Sequence, residues 1–240
     1  MIKAVFFDLG DTLCDYEGAA GVAIDSACEY AVGHAQGLSV GGLREAYLRD
    51  LRHTEEDALR WTASRQGRSG PQEGFRLWER ALEKCGIVNP ILAHAAALHY
   101  ELSRIRALTL LPDALPAVQA LQGRVHVGLI AEGSPGTVNE ELTLLGLRGL
   151  LASVLIDEEV GYSRLDPQLF SHGVREAGCE PAQVAHVGDS LKADVAPAHA
   201  AGLVTVWVNR AGAKPRADLA APDHTVPDLQ PLPELLLGKA

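Results

Sequence analysis

The chain has 240 residues, of which 47% are hydrophobic and 22% charged, as is usual for a globular protein with one large domain or two small ones. Its formal net charge of −10 argues against nucleic acid as a partner, because phosphate backbones attract a basic surface. The four cysteines form no CxxC pair, and the first apolar stretch is too short to span a bilayer. These features predict a cytoplasmic protein without a membrane segment, and they carry no signal for an oligomeric state.

The first predicted element is a strand at residues 4–7 (AVFF), a continuous apolar run typical of a strand buried on both faces. This strand delivers Asp8 to its carboxyl end, where Gly10 lets the backbone turn. Ligands of open α/β sheets bind at that edge. A carboxylate in this place is more often a nucleophile or a metal ligand than a structural residue.

The next region, residues 17–106, shows helical spacing and no convincing strand. Leu43, Ala46, Tyr47 and Leu51 recur at helical intervals, and stretches such as GRSGP at 67–71 and NP at 89–90 punctuate the pattern. We therefore predict an all-helical subdomain of about four helices.

From residue 112 onward, strands and helices alternate. The apolar runs predict strands at 125–131, 153–157, 184–188 and 203–208, with helices across 135–145 and 167–177. Ser134 is suited to cap the first of these helices, Pro135 to its first position and Gly146 to its end. Such alternation indicates parallel βαβ units, so the fold class is α/β with a helical insertion after the first strand.

Three carboxylates are predicted to meet at one edge of this sheet. Asp8 and Asp189 each end an apolar strand, and Asp194 follows at the turn into a helix that contains Pro197. Three negative charges in a partly buried cleft repel one another, and a hard divalent cation such as Mg²⁺ would relieve this. The alternative for Asp194 is that it only caps its helix.

Three segments together resemble the haloacid dehalogenase (HAD) superfamily of hydrolases: FDLGDTL at 7–13, EVGYSRLDPQLF at 159–170 and VGDSLKAD at 187–194. The resemblance implies a Rossmann-like parallel-sheet core at residues 1–14 and 108–240, with a helical cap subdomain at 15–107. Most members of this superfamily are Mg²⁺-dependent phosphatases that work through an aspartyl-phosphate.

The resemblance also implies roles for individual residues. Asp8 would be the nucleophile and a metal ligand, since carboxylate attack on phosphorus splits one hard hydrolysis into two easier steps. The backbone carbonyl of Gly10 and the carboxylate of Asp189 would be further metal ligands, and Asp194 would support the metal directly or through water. Arg164 takes the place of the family's lysine and would hold Asp8 and the phosphate together, although its planar fork needs a different geometry.

Two further positions depart from the family pattern. Gly10 stands where the phosphatases usually carry an Asp that protonates the leaving oxygen, and such a loss typically costs about 10²–10⁴ in rate. Asp11 would substitute only if the turn were reshaped. Ala131 stands where the family has Ser or Thr for the phosphate, and the charge of Glu132 would oppose a phosphate dianion if it pointed inward.

Backbone N–H groups at 132–134 remain available to bind an anion ahead of the helix that begins at Pro135. We therefore expect Gly133 and Ser134 to contact the substrate, although helix capping is an alternative role for the Ser134 hydroxyl.

These observations predict a Mg²⁺-dependent phosphatase of small phosphorylated metabolites, slow or specialised because of its departures from the pattern. One alternative is a catalytically degenerate protein that binds a ligand without turnover. Another is a 2-haloacid dehalogenase, a metal-independent branch that also uses an Asp nucleophile and has a non-acidic residue at the position of Gly10.

Overall fold

The computed structural model describes the backbone of residues 1–61 and 71–238 and the side chains of residues 1–52 and 74–238. The chain divides into two compact units, one formed by Met1–Asp15 with Thr109–Ala240 and the other by Tyr16–Leu108. Most of the glycine-rich stretch that the sequence places at 67–71 lies outside the described residues. No helix in the described ranges is long and apolar enough to cross a membrane.

The second unit is helical in every element that the structure describes, as the spacing of its apolar residues predicts. Its helices are α1 (Tyr16–Gly33), α2 (Val40–Trp61), α3 (Pro71–Lys84) and α4 (Pro90–Ala107). Asn89 caps α4 by accepting a hydrogen bond from the Leu92 N–H at 3.0 Å. The Tyr47 and Trp78 rings pack in the core of this unit with centroids 4.3 Å apart. Trp78 is thus a packing residue.

The first unit contains a parallel sheet of six strands in the order β3-β2-β1-β4-β5-β6. The strands are β1 (Ala4–Phe7), β2 (His126–Ala131), β3 (Ser153–Ile156), β4 (Val184–Gly188), β5 (Val204–Val208) and β6 (His224–Val226). The predicted α/β class and Rossmann-like core are confirmed. The sequence does not predict β6, because this strand has three residues and one of them is exposed.

Helices connect the strands and cover the sheet. They are α5 (Ala114–Leu121), α6 (Pro135–Leu144), α7 (Asp157–Val160), α8 (Pro167–Glu176), α9 (Ala196–Ala200) and α10 (Leu232–Leu237). All four residues of β1 are fully buried, because β1 lies in the middle of the sheet with helices packed against it. The strand order reverses between β1 and β4, and in such sheets the crevice beyond the carboxyl ends of those two strands is the usual ligand site.

Candidate active site

The carboxyl ends of β1 and β4 bring together the three carboxylates that the sequence places at the sheet edge. Phe7 of β1 pairs with Val187 of β4, and the Asp8 N–H continues this ladder by donating to the Val187 carbonyl at 2.9 Å. Asp8, Asp189 and Asp194 each offer a carboxylate oxygen within 4.8 Å of the others. Asp8 and Asp194 are buried, and Asp189 is half-buried.

Arg164 lies between two of these carboxylates. Its Nη2 atom is 2.6 Å from Asp8 Oδ1 and 2.6 Å from Asp194 Oδ1. Burial alone would lower the pKa of Arg164, but Asp194 and Asp8 raise it above its ordinary value, so the guanidinium stays charged. Arg164 Nη2 thus links Asp8, which follows β1, to Asp194, which follows β4.

Asp194 has hydrogen-bond partners on both of its carboxylate oxygens. Oδ1 accepts hydrogen bonds from Arg164 Nη2 and from His186 Nε2 at 3.0 Å, and Oδ2 accepts the Ser190 N–H at 2.9 Å. Burial would raise the pKa of Asp194, but Arg164 and then His186 lower it below its ordinary value. These contacts favour the ionised form of Asp194, which in turn orients Arg164.

The segment that carries Asp194 contains a turn that the sequence does not predict. Asp194 precedes α9, which has Pro197 in its first turn as expected, but residues Leu191–Val195 form a π-helical turn that runs directly into this helix. Ser190, not Asp194, caps this turn by accepting the Ala193 N–H at 3.1 Å. The wide turn begins well before Pro197, and a rule based on proline alone cannot register it.

His186 is a residue of this site that the sequence reasoning misses. It lies in the middle of β4, buried, with the Phe170 ring edge-on at a centroid distance of 4.8 Å. Its Nε2 hydrogen bond to Asp194 links the core of the sheet to the cluster. The available signal is a histidine within the apolar run VAHVG, three positions before Asp189.

The donor set at this edge fits a hard cation. Within the part of the chain that the structure describes, neither carboxylate oxygen of Asp8 has a hydrogen bond of good geometry, although Oδ1 is ion-paired with Arg164. Burial raises the pKa of Asp8 well above its ordinary value; Arg164 lowers it, and Asp194 and Asp189 raise it further. Burial followed by Asp194 raises the pKa of Asp189 to about 6. A divalent cation that prefers oxygen ligands, such as Mg²⁺, would stabilise the ionised forms of these buried carboxylates.

The turn that follows Asp8 is held by backbone bonds. The Asp11 N–H donates to the Cys14 carbonyl at 2.7 Å, and Arg210 Nη2 donates to the Thr12 carbonyl at 3.1 Å. Asp11 itself has a left-handed backbone with φ +53°. The turn is therefore tight, and Asp11 follows Gly10 in an unusual conformation.

The loop after β2 contains Gly133 and Ser134, which we expect to contact the substrate, and both form hydrogen bonds within the protein. The Gly133 N–H donates to Asp157 Oδ1 at 2.9 Å, and the Ser134 hydroxyl caps α6 by accepting the Thr137 N–H at 3.3 Å. Phosphate binding by the Gly133 N–H would therefore require it to exchange its bond to Asp157. The backbone of Gly133, at φ +124°, favours glycine at this point.

Glu132 begins the same loop, immediately after the end of β2. Glu132 is an exposed residue, yet desolvation of its carboxyl group raises its pKa. Arg164 opposes this rise, while Asp157, Asp194 and Glu158 add to it. The carboxyl group thus lies within electrostatic reach of Arg164, the residue that pairs with Asp8.

Gly188, the last residue of β4, allows Asp194 its position. A Cβ atom added here would overlap the carboxyl group of Asp194, which Arg164, His186 and Ser190 hold in place. We expect Gly188→Ala to displace this carboxylate and to lower kcat/KM by about 10²-fold, the scale of an ångström-sized misplacement. Gly136→Ala is the matched control, because a Cβ at Gly136 has open space. Equal kinetics of the two variants would contradict this role of Gly188.

The chain is similar in sequence to one family of known proteins. The family model described as haloacid dehalogenase-like hydrolase matches residues 2–202. Glyceraldehyde 3-phosphate phosphatase of Methanopyrus kandleri is 29% identical over 231 residues, covering 94% of this chain and 93% of that protein. Phosphoserine phosphatase of Thermus thermophilus is 34% identical over 166 residues, covering 69% of this chain and 64% of that protein.

Solved structures show the same fold. A 2-haloacid dehalogenase from Pseudomonas syringae aligns with a TM-score of 0.67 and 28% identity, covering 99% of both chains. A HAD-hydrolase from Bacillus subtilis, solved with bound magnesium, aligns with a TM-score of 0.79 and 18% identity over 98% of both chains. The likeness to the Bacillus structure shows the fold alone. The identity of this chain to the Pseudomonas dehalogenase, 28%, is close to its identity to the Methanopyrus phosphatase, 29%.

Proposed function

Because the chain belongs to the haloacid dehalogenase-like hydrolase family and is therefore an enzyme, we propose that it is a phosphatase with Asp8 as its nucleophile. One observation carries the proposal. The Asp8 carboxylate is buried beyond the carboxyl ends of β1 and β4, has no hydrogen bond of good geometry among the described residues, and faces the cation Arg164 at 2.6 Å. A carboxylate nucleophile needs an oxygen that hydrogen bonds do not occupy and a positive charge that keeps it ionised.

In the proposed reaction, an oxygen of Asp8 attacks phosphorus and the ester oxygen leaves, which gives an aspartyl-phosphate that water then hydrolyses. Arg164 orients the Asp8 carboxylate and supplies positive charge beside the phosphoryl oxygens. Asp194, fixed by His186 and the Ser190 N–H, holds Arg164 in that position. Mg²⁺ bound by Asp8, Asp189 and the Gly10 carbonyl would neutralise charge between the carboxylate and the phosphoryl group.

The proposed substrates are small phosphorylated metabolites. Support comes from two relatives whose names specify small phosphate esters, glyceraldehyde 3-phosphate and phosphoserine. Gly133 and Ser134 in the loop after β2 are the proposed contacts of the substrate, together with Arg164.

A second candidate is halide removal from a 2-haloacid, again through Asp8. It is favoured by the 28% identity to the dehalogenase of Pseudomonas syringae and by the absence of a side chain at Gly10. The convergence of three carboxylates within 4.8 Å favours the phosphatase instead, because such a cluster suits a divalent cation.

One assay separates these two candidates. We expect the purified chain to release phosphate from members of a panel that includes glyceraldehyde 3-phosphate and phosphoserine, with activity lost in EDTA and restored by Mg²⁺. Halide release from 2-chloropropionate in EDTA would replace the phosphatase by the dehalogenase. Phosphate release that is unchanged in EDTA would contradict the metal requirement but not the nucleophile.

A further inference from the structure

We propose that Glu132 is the proton donor and acceptor of this site, the group that protonates the departing ester oxygen and then activates water. This inference rests on the proposed phosphatase function. When Asp8 attacks an alkyl phosphate, the leaving oxygen takes the electron pair of the broken P–O bond, and without a proton it departs as a poor leaving group. Position 10, two residues after Asp8, is glycine and carries no titratable side chain.

Three other carboxyl groups at this edge of the sheet already have partners or a proposed role. Asp194 accepts three hydrogen bonds and is held ionised, so it has no proton to give. Asp157 accepts the N–H groups of Gly133 at 2.9 Å and Glu158 at 2.7 Å. Asp189 is the proposed partner of Asp8 in holding the cation.

Glu132 differs from these groups in its position and its surroundings. It follows directly after β2, whose Leu129 pairs with Phe7 of β1, so it lies at the same sheet edge as Asp8 on the neighbouring strand. Glu132 is exposed and can therefore exchange protons with solvent. No hydrogen bond to its carboxyl group is found among the described residues.

The charges near Glu132 favour its protonated form over that of an ordinary glutamate. Burial raises its pKa and Arg164 lowers it, while Asp157 and Glu158 from α7 and Asp194 from the turn after β4 raise it further. The acid form therefore persists to higher pH than in an ordinary glutamate. A neutral Glu132 also removes the repulsion that a carboxylate here would exert on a phosphate dianion.

The two half-reactions balance. In the first, Asp8 forms a bond to phosphorus, the P–OR bond breaks, and the Glu132 proton passes to the ester oxygen, which leaves as ROH. In the second, the Glu132 carboxylate takes a proton from water, the water oxygen attacks phosphorus, and the P–O bond to Asp8 breaks. Phosphate leaves, and Asp8 and Glu132 return to their starting protonation states.

The test compares leaving groups in the first turnover of the Mg²⁺-loaded enzyme. For Glu132→Gln we expect release of the alcohol from an alkyl ester such as phosphoserine to slow by about 10²–10⁴-fold, the usual value of a positioned acid. With p-nitrophenyl phosphate, whose leaving group departs without a proton, the variant should give a burst of about one p-nitrophenolate per enzyme and then stall. In wild type, kcat for the alkyl ester should fall as pH rises through the pKa of Glu132, and this decline should be absent in the variant.

Three further variants make the result specific. Glu159→Gln, an exposed glutamate on α7, should keep the wild-type rates for both esters. Gly10→Asp in the Glu132→Gln background should restore alkyl ester cleavage, which a purely structural role of Glu132 would not predict. The inference is overturned if Glu132→Gln slows both esters equally in the first turnover, or if Asp11→Asn instead shows the leaving-group pattern. Absence of turnover by wild type on either ester would reject the phosphatase function itself.

Discussion

Replacing Asp8 by asparagine is expected to abolish phosphate release while preserving the fold. An amide oxygen is a poor nucleophile toward phosphorus, so the loss should be on the order of 10⁶-fold, the scale seen when a hydrolase loses its nucleophile. No aspartyl-phosphate can form on the variant. Acid-quenched wild-type enzyme should carry labelled phosphate on Asp8 during turnover, and the Asp8→Asn variant should carry none.

The same substitution should raise stability. Burial raises the pKa of Asp8, Asp194 and Asp189 add to this rise and Arg164 opposes it, and the pKa lies above its unfolded value. An acid shifted in this direction is destabilised by ionisation in the folded state, so its cost is absent below the unfolded pKa and is complete above the folded pKa. In EDTA, Asp8→Asn should therefore have a higher Tm than wild type at neutral pH, and this difference should shrink as pH falls.

Asp218→Asn is the matched control for both measurements. Asp218 is exposed and pairs with Arg216, which is also exposed, so its loss should leave both activity and Tm close to those of wild type. Appreciable turnover by Asp8→Asn, or phosphate labelling on another residue, would remove Asp8 from the role of nucleophile.

The sequence predicts the edge of the sheet well because the signals are local. Residues 4–7 and 184–188 are unbroken runs of buried residues that end on Asp8 and Asp189, and a parallel sheet must then bring these carboxylates to one edge. The start of α6 is equally local, since Ser134 and Pro135 satisfy the cap and the first position without help from distant residues.

The network around Asp194 is beyond such reasoning because it depends on contacts between distant segments. Arg164, His186 and Ser190 converge on one carboxylate from a loop, a buried strand and a turn. The π-turn at Leu191–Val195 has no propensity signal, because its i→i−5 bonds are stabilised by the surrounding packing and not by residue type. A histidine in an apolar strand is a weak signal until its partner is known.

Removing the Arg164 side chain is expected to damage both stability and activity. Arg164→Ala would leave the buried Asp8 and Asp194 without their shared cation, and breaking a buried pair in this way typically costs about 3–5 kcal/mol. Loss of a positive group beside a developing phosphoryl charge should also lower kcat by about 10²–10³-fold. Arg164→Lys should lose less, because one nitrogen, Nη2, makes both 2.6 Å contacts and an ammonium can replace a single nitrogen.

A double-mutant cycle with Asp8→Asn separates the attraction between Arg164 and Asp8 from general damage to the fold. If Arg164 offsets the charge of Asp8, then Arg164→Ala should cost less unfolding free energy in the Asp8→Asn background than in wild type, and the difference is the coupling between the two residues. The remaining cost belongs to Asp194, which keeps His186 and the Ser190 N–H as hydrogen-bond partners. Arg175→Ala, an exposed arginine near the end of α8, serves as the control and should change stability by less than about 0.5 kcal/mol. If Arg164→Ala lowers the unfolding free energy equally in both backgrounds, Arg164 stabilises the site through Asp194 alone. Another cation must then stabilise the ionised form of Asp8.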